Sequence, residues 1–163
     1  MNGSVIRRVV GYVLTLEALL LLLPCIVALY YNEQEGYAYL ASSAICLVLG
    51  GAMSLKKPKS NVFYLKEGCV ATALSWIVLS VFGAIPFVLT GEIPHFVDAL
   101  FETVSGFTTT GASILSDVET LANCTLFWRS FTHWIGGMGV LVFILAMIPL
   151  SGGSNMNLSL IHI

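Results

Sequence analysis

Thr103-Val104-Ser105-Gly106-Phe107-Thr108-Thr109-Thr110-Gly111-Ala112-Ser113 contains neither a charge nor a proline, and it lies in a chain otherwise built of long apolar runs. Small hydroxylated residues and glycines in such surroundings pose a hydrogen-bonding problem. Non-helical backbone at membrane depth is tolerated only where protein or a watery cavity satisfies its N–H and C=O groups. A row of carbonyls facing such a cavity is a cation site, and Gly111, lacking a Cβ, can enter φ > 0 conformations that turn successive carbonyls toward one axis.

The residues before this stretch fit that reading. Pro94 is placed for a helix start, and Phe96, Val97, Leu100, Phe101 and Val104 recur at helical spacing, which predicts an apolar-faced helix of about 11 residues. Such a helix is about 16 Å long, half a membrane, so it is expected to enter from one face and turn back. Its C-terminal dipole end would then favour a cation at the stretch that follows. The whole connection from Thr90 to Phe131 is too long for a structureless loop and too short for another pair of spans.

Four runs around it are long enough to cross a bilayer, which takes about 20 apolar residues. They are Val9 to Tyr31, with Glu17 as its one charge, and the uncharged Tyr37 to Leu55, Cys69 to Thr90 and Phe131 to Leu150. The first is too long for a signal-peptide core and is read as a retained span. Composition agrees: 57% of the 163 residues are hydrophobic and 10% are charged, against about 25% charged in soluble domains. A net charge of −2 without a basic stripe excludes nucleic-acid binding. Arg7, Arg8, Lys56, Lys57, Lys59 and Lys66 fall on one side of the membrane and Arg129 alone on the other, so both termini are expected in the cytoplasm. The outer side carries Glu33, Glu35, Glu92, Asp98, Glu102, Asp117 and Glu119, either solvated loop charges or a negative field that concentrates cations. Cys25, Cys46, Cys69 and Cys124 form no Cys-x-x-Cys or Cys/His cluster, so neither a metal nor a redox centre is expected.

Phe101-Glu102-Thr103-Val104-Ser105-Gly106-Phe107-Thr108-Thr109-Thr110-Gly111-Ala112-Ser113 resembles the first pore helix and filter of the TrkH proteins, in the Trk/Ktr/HKT superfamily of potassium transporters. Leu65-Lys66-Glu67-Gly68 with Trp76 and Phe82-Gly83-Ala84-Ile85-Pro86-Phe87 resembles that family's outer helix. Phe127-Trp128-Arg129-Ser130 through Trp134-Ile135-Gly136-Gly137-Met138-Gly139-Val140 resembles its inner helix. The resemblance spans residues 5 to 157. Thr109-Thr110-Gly111-Ala112-Ser113 stands where a potassium channel has Thr-Val-Gly-Tyr-Gly, matching it at the first threonine and the central glycine.

The expected fold is therefore an all-α polytopic membrane protein with four transmembrane helices plus one re-entrant pore helix and filter loop. Its expected units are an N-terminal helix pair (1–60) and a first helix, pore loop, helix module (61–157). The resemblance implies K⁺ transport across a bacterial inner membrane, with Thr109, Thr110, Gly111 and Ala112 as the ion-binding filter and Thr108, Ser113, Glu102 and Arg129 as its support. It also implies four modules in one chain, a homodimer in lipid, and a cytoplasmic nucleotide-binding regulatory partner. No cofactor other than the transported K⁺ is expected.

Several residues keep two readings. Glu17, at depth in the first span, is an ion ligand or a neutral or hydrogen-bonded residue packed between helices. Gly136, Gly137 and Gly139 either hinge the fourth span or let helices approach closely. Arg129 is expected to pair with a pore-helix carboxylate such as Glu102, because an isolated charge there is costly. His133 beside Trp134 reads as an interface residue, and Asn123-Cys124-Thr125 as a chance glycosylation match. An intramembrane enzyme lacks its parts here, with no His-Glu-x-x-His and no Gly-x-Ser-x-Gly. A membrane scaffold would need no filter segment, and a small homotetrameric cation channel is the remaining alternative. The last six residues, Leu158-Ser159-Leu160-Ile161-His162-Ile163, are what CTG TCT CTT ATA CAC ATC encodes, which resembles a transposase adapter of sequencing libraries. Adapter read-through from a longer gene is the expectation there.

Overall fold

The computed structural model describes residues 3–55 and 65–151, apart from the side chains of 65–67, 140 and 143–151. Among the described residues six helices follow one another: α1 (Gly3–Leu20), α2 (Leu22–Tyr31), α3 (Gly36–Leu55), α4 (Leu65–Thr90), α5 (Phe96–Phe107) and α6 (Asn123–Ser151). Lys56, Lys57, Lys59, the Lys66 side chain, the boundary between the two expected units and the stretch 158–163 lie outside the described residues.

Three stretches among the described residues are long and apolar enough to cross a membrane: Gly3–Tyr31, Gly36–Leu55 and Gly68–Thr90. The first starts six residues earlier than the apolar run suggested, and it is two helices rather than one. Pro24 is the reason. It has no N–H to give the Leu20 carbonyl, and its ring crowds that carbonyl, so the ladder lapses at Leu21. Leu21 stays in the αR region (φ −65, ψ −14) and its N–H still reaches the Glu17 carbonyl at 2.9 Å, so the two helices make one span. The last helix, α6, is 29 residues long.

Helix ends follow local chemistry. Asn32, a residue that tolerates the left-handed region, ends α2 at φ 56 and returns its N–H to the Ala28 carbonyl. Gly91 ends α4 at φ 78, with its N–H on the Val88 carbonyl. The chain then reverses through Pro94, and α5 starts at Phe96, two residues beyond the proline, with Asp98 favouring the positive end of its dipole.

With lipid outside, helices are held by close approach and by polar groups that find partners inside. α1 crosses α3 where Gly11 meets Gly50: a Cβ on Gly50 would stand 2.9 Å from the Gly11 carbonyl oxygen. Ser43 of α3 donates to the Ala18 carbonyl of α1 at 2.7 Å. α6 is tied to α3 by Tyr39 and Thr125, both fully buried, whose hydroxyls lie 3.1 Å apart, and to α4 by the Trp128 indole N–H on the Gly83 carbonyl at 3.1 Å. Through α1 on α4 and α2 on α6, the first helices belong to the same packed body as the later ones.

Candidate ion filter

α5 is twelve residues, about 18 Å of helix, and it delivers Thr108 in αR conformation to the uncharged segment. Three successive amides then fold back on the helix end. The N–H of Thr108 donates to the Val104 carbonyl at 2.9 Å, that of Thr109 to Gly106 at 2.9 Å and that of Thr110 to Ser105 at 3.0 Å. In a trans peptide the preceding carbonyl points the opposite way from the N–H. The carbonyls of Phe107, Thr108 and Thr109 are thereby turned away from α5.

Two left-handed residues shape the turn: Gly111 at φ 76, and Thr109 at φ 57. The glycine was expected to take such a conformation. The threonine was not, because a β-branched residue at positive φ is a genuine outlier, held only where its surroundings over-determine it. Its surroundings do so: its N–H is fixed to α5 and its hydroxyl donates to the Thr108 carbonyl at 2.7 Å. The Thr108 hydroxyl donates to Val104 at 2.7 Å and lies 2.8 Å from that of Thr110. At the far end the Ser105 hydroxyl donates to the Ala112 carbonyl at 2.5 Å, which occupies one of that oxygen's two lone pairs. Thr108 through Ser113 are all exposed in this chain.

The return of the segment is held by one carboxylate. Glu102 of α5 is 2% exposed. It accepts the Ser113 hydroxyl at 3.0 and 3.2 Å, the Ile114 N–H at 3.1 Å and the Arg129 Nε–H of α6. Ser113 thus joins the Glu102–Arg129 pair expected from sequence at one point. Below it, α5 lies on α6 through two glycines. A Cβ on Gly106 would fall 2.2 Å from the Thr132 hydroxyl, and one on Gly136 would fall 2.2 Å from the Phe107 carbonyl oxygen. Gly137 has the Thr109 methyl at 3.8 Å from its Cβ position, and Gly139 has the Trp76 ring at 3.1 Å. All three α6 glycines are therefore at helix or loop contacts. His133 bonds the Arg129 carbonyl through Nδ1 at 2.9 Å, and among the described residues no cluster of His, Cys, Asp and Glu could hold a metal.

Sequence reasoning missed the devices at the start of α6. That helix has no acidic residue of its own in the first turn. Glu33, from the loop between α2 and α3, accepts the Asn123 N–H and side-chain amide at 2.8 Å and the Cys124 N–H at 2.9 Å, and Glu92 accepts the Ala122 N–H at 2.6 Å. Two carboxylates from distant loops thus cap one helix. Partial burial pushes the Glu33 carboxyl upward, but the hydrogen bonds from Cys124 and Asn123 outweigh it and leave the group below its ordinary 4.5. Ser105, Thr132 and the Trp128–Gly83 bond were also unforeseen. For Ser105 the only signal was a hydroxyl on the same helix face as Glu102.

The family of cation transport proteins called TrkH matches residues 35–161. An uncharacterized cation transporter of Methanocaldococcus jannaschii is 37% identical over 148 residues, 90% of this chain and 31% of the relative. The Trk system potassium uptake protein TrkG of Escherichia coli is 37% identical over 157 residues, 93% of this chain and 32% of the relative. The crystal structure of the potassium transporter TrkH from Vibrio parahaemolyticus superposes with a TM-score of 0.84 at 32% identity, covering 98% of this chain and 35% of that one. The chain spans about a third of the length of the relatives it matches. With apolar helices long enough to cross a membrane and a family match over most of its length, this chain is a multi-pass membrane protein of the TrkH family of cation transport proteins.

Proposed function

We propose that this chain supplies one unit of a potassium-selective filter to a potassium uptake protein of the inner membrane. The observation that carries the reading is the uncharged turn 108–113, anchored to the end of α5 through three amides and bent by positive φ at Thr109 and Gly111. Backbone oxygens of Thr109, Thr110, Gly111 and Ala112 replace the water ligands of K⁺, Ala112 with the lone pair that Ser105 leaves free. Thr108, Ser113, Glu102 and Arg129 hold the turn in shape. The C-terminal end of α5 adds a negative dipole, and the electrochemical gradient drives the ion without any bond being made or broken.

In the same reading α6 is a fourth span, α5 and its turn form a re-entrant element, and both termini of the segment face the cytoplasm. One turn supplies a quarter of the ligand ring, so four such units encircle the ion. The assembly is a homodimer served by a cytoplasmic nucleotide-binding subunit. The names of the relatives, Trk system potassium uptake protein and potassium transporter, support K⁺ as the cargo. The test is Gly111→Ser in a full-length chain carrying this segment. Serine at φ 76 is strained, so K⁺ over Na⁺ flux selectivity should fall while membrane insertion is retained. Unchanged selectivity in a properly inserted variant would remove Gly111 from the filter.

A further inference from the structure

Among the described residues two carboxylates within the helices are almost completely buried, Glu102 at 2% and Glu17 at 1% exposed. Their surroundings are opposite. Glu102 has partners on both oxygens, whereas neither oxygen of Glu17 has a hydrogen-bond partner. The Ser43 hydroxyl, which reaches α1 from α3, is already spent on the Ala18 carbonyl. An ionisable group at this depth without a partner works against stability, which is the usual mark of a functional position in a membrane helix.

What Glu17 touches gives it a task. α1 brings it against Gly83 of α4, and a Cβ built on Gly83 would stand 3.2 Å from Glu17 Oε1, 3.0 Å from the Thr103 methyl and 3.3 Å from the Phe107 ring. Thr103 and Phe107 are one turn apart on α5, both 1% exposed, and Phe107 is the last residue before the turn at Thr108. The Gly83 carbonyl also holds the Trp128 indole of α6. Four helices therefore meet around one glycine, and the first helix contributes the Glu17 carboxyl to that contact.

We infer that Glu17 is a positioning residue of the ion filter: its carboxyl, placed at Gly83 where Thr103 and Phe107 also converge, sets the seat of α5 and through it the shape of the 108–112 turn. The inference rests on the filter reading given above. It assigns to the N-terminal helix pair a part in ion selection, without contact with the ion. The shape of the planar carboxyl does this work, so the isosteric amide should replace it, and a shorter or tetrahedral side chain should not.

The experiment measures K⁺ and Na⁺ flux into proteoliposomes holding the full-length chain that carries this segment. Glu17→Ala should lower the K⁺/Na⁺ flux ratio by about threefold or more, the size expected when packing coupled to a site is altered. Glu17→Gln should restore the wild-type ratio. A purely structural Glu17 would change the amount of inserted protein and leave the ratio alone, so an unchanged ratio in inserted Glu17→Ala overturns the inference, as does an equal fall in Glu17→Gln. Should Glu17→Ala fail to insert, Glu17→Asp, which withdraws the carboxyl by one methylene, is read by the same criteria. Gly111→Ser serves as the control: if it lowers the ratio and Glu17→Ala does not, the inference fails alone. If neither moves it, the filter reading fails first.

Discussion

Glu102 shows how much one buried carboxylate can organise. It joins α5 to the returning segment at Ser113 and Ile114 and to α6 at Arg129. Removing one partner of such a pair leaves a buried charge uncompensated, which costs about 3–5 kcal/mol. Arg129→Ala is therefore expected to lower the thermal stability of the detergent-solubilised full-length protein sharply. Arg129→Ala combined with Glu102→Gln should recover part of the loss, and an equal or greater loss in the double variant would count against the pairing. Gly106 gives a second case at this scale. Its missing Cβ would sit 2.2 Å from the buried Thr132 hydroxyl, so Gly106→Ala should destabilise by about 1–3 kcal/mol through overpacking. The same assay checks it, with Thr132→Ala in the Gly106→Ala background expected to return part of the stability. The Glu102–Arg129 pairing could be anticipated because Arg129 is the sole basic residue on its side and an isolated charge there is costly. The need for glycine at 106 could not, since it depends on a helix 26 residues further on, and the positive φ of Thr109 runs against the preference of its own side chain.

Helices were readable where their signals are local. Apolar spacing from Phe96 and the proline at 94 located α5 to within two residues, and the long apolar runs located α3 and α4. The interruption at Leu21 was missed although Pro24 was in view, because hydropathy alone does not register a lost N–H. The capping of α6 was hidden for a different reason: its acceptors come from Glu33 and Glu92, about 90 and 30 residues earlier in the chain. Reading those acids as solvated loop charges or as a cation-concentrating field overlooked the unpaired amides at a helix start, which must be satisfied from somewhere. Glu33→Ala should cost about 1 kcal/mol at neutral pH, the usual size of a lost cap. Its pH dependence follows from the lowered carboxyl of Glu33. A folded-state value below the ordinary 4.5 means that the contribution is fully present above 4.5 and is lost as pH falls below it toward the folded value. Unfolding of wild type and Glu33→Ala measured against pH should thus differ above 4.5 and converge below it; a gap that persists in acid would contradict the ionised cap.

For the molecule as a whole, composition and run length sufficed to place the chain in a membrane, because 10% charge cannot cover a soluble surface. The proposed orientation, with both termini of the segment in the cytoplasm, rests on the six-to-one split of basic residues. Single cysteines at positions 34 and 58 of a cysteine-free full-length background test it: a membrane-impermeant thiol reagent should label 34 from outside and 58 only from inside, and the reverse pattern would invert the topology. What patterning could not convey is that the first helices share one packed body with α5, since Gly83 joins α1, α4, α5 and α6 through contacts no periodicity announces. The proposed filter binds the transported ion through the backbone of the 108–113 turn. The most direct measurement is the structure of the full-length protein carrying this segment with Tl⁺ in place of K⁺, read by anomalous scattering. Tl⁺ density against the backbone oxygens of Thr109 through Ala112, abolished by excess K⁺ and not by Na⁺, is the predicted result. Ordered Tl⁺ elsewhere in the membrane region, with this turn empty in the same crystals, would contradict it.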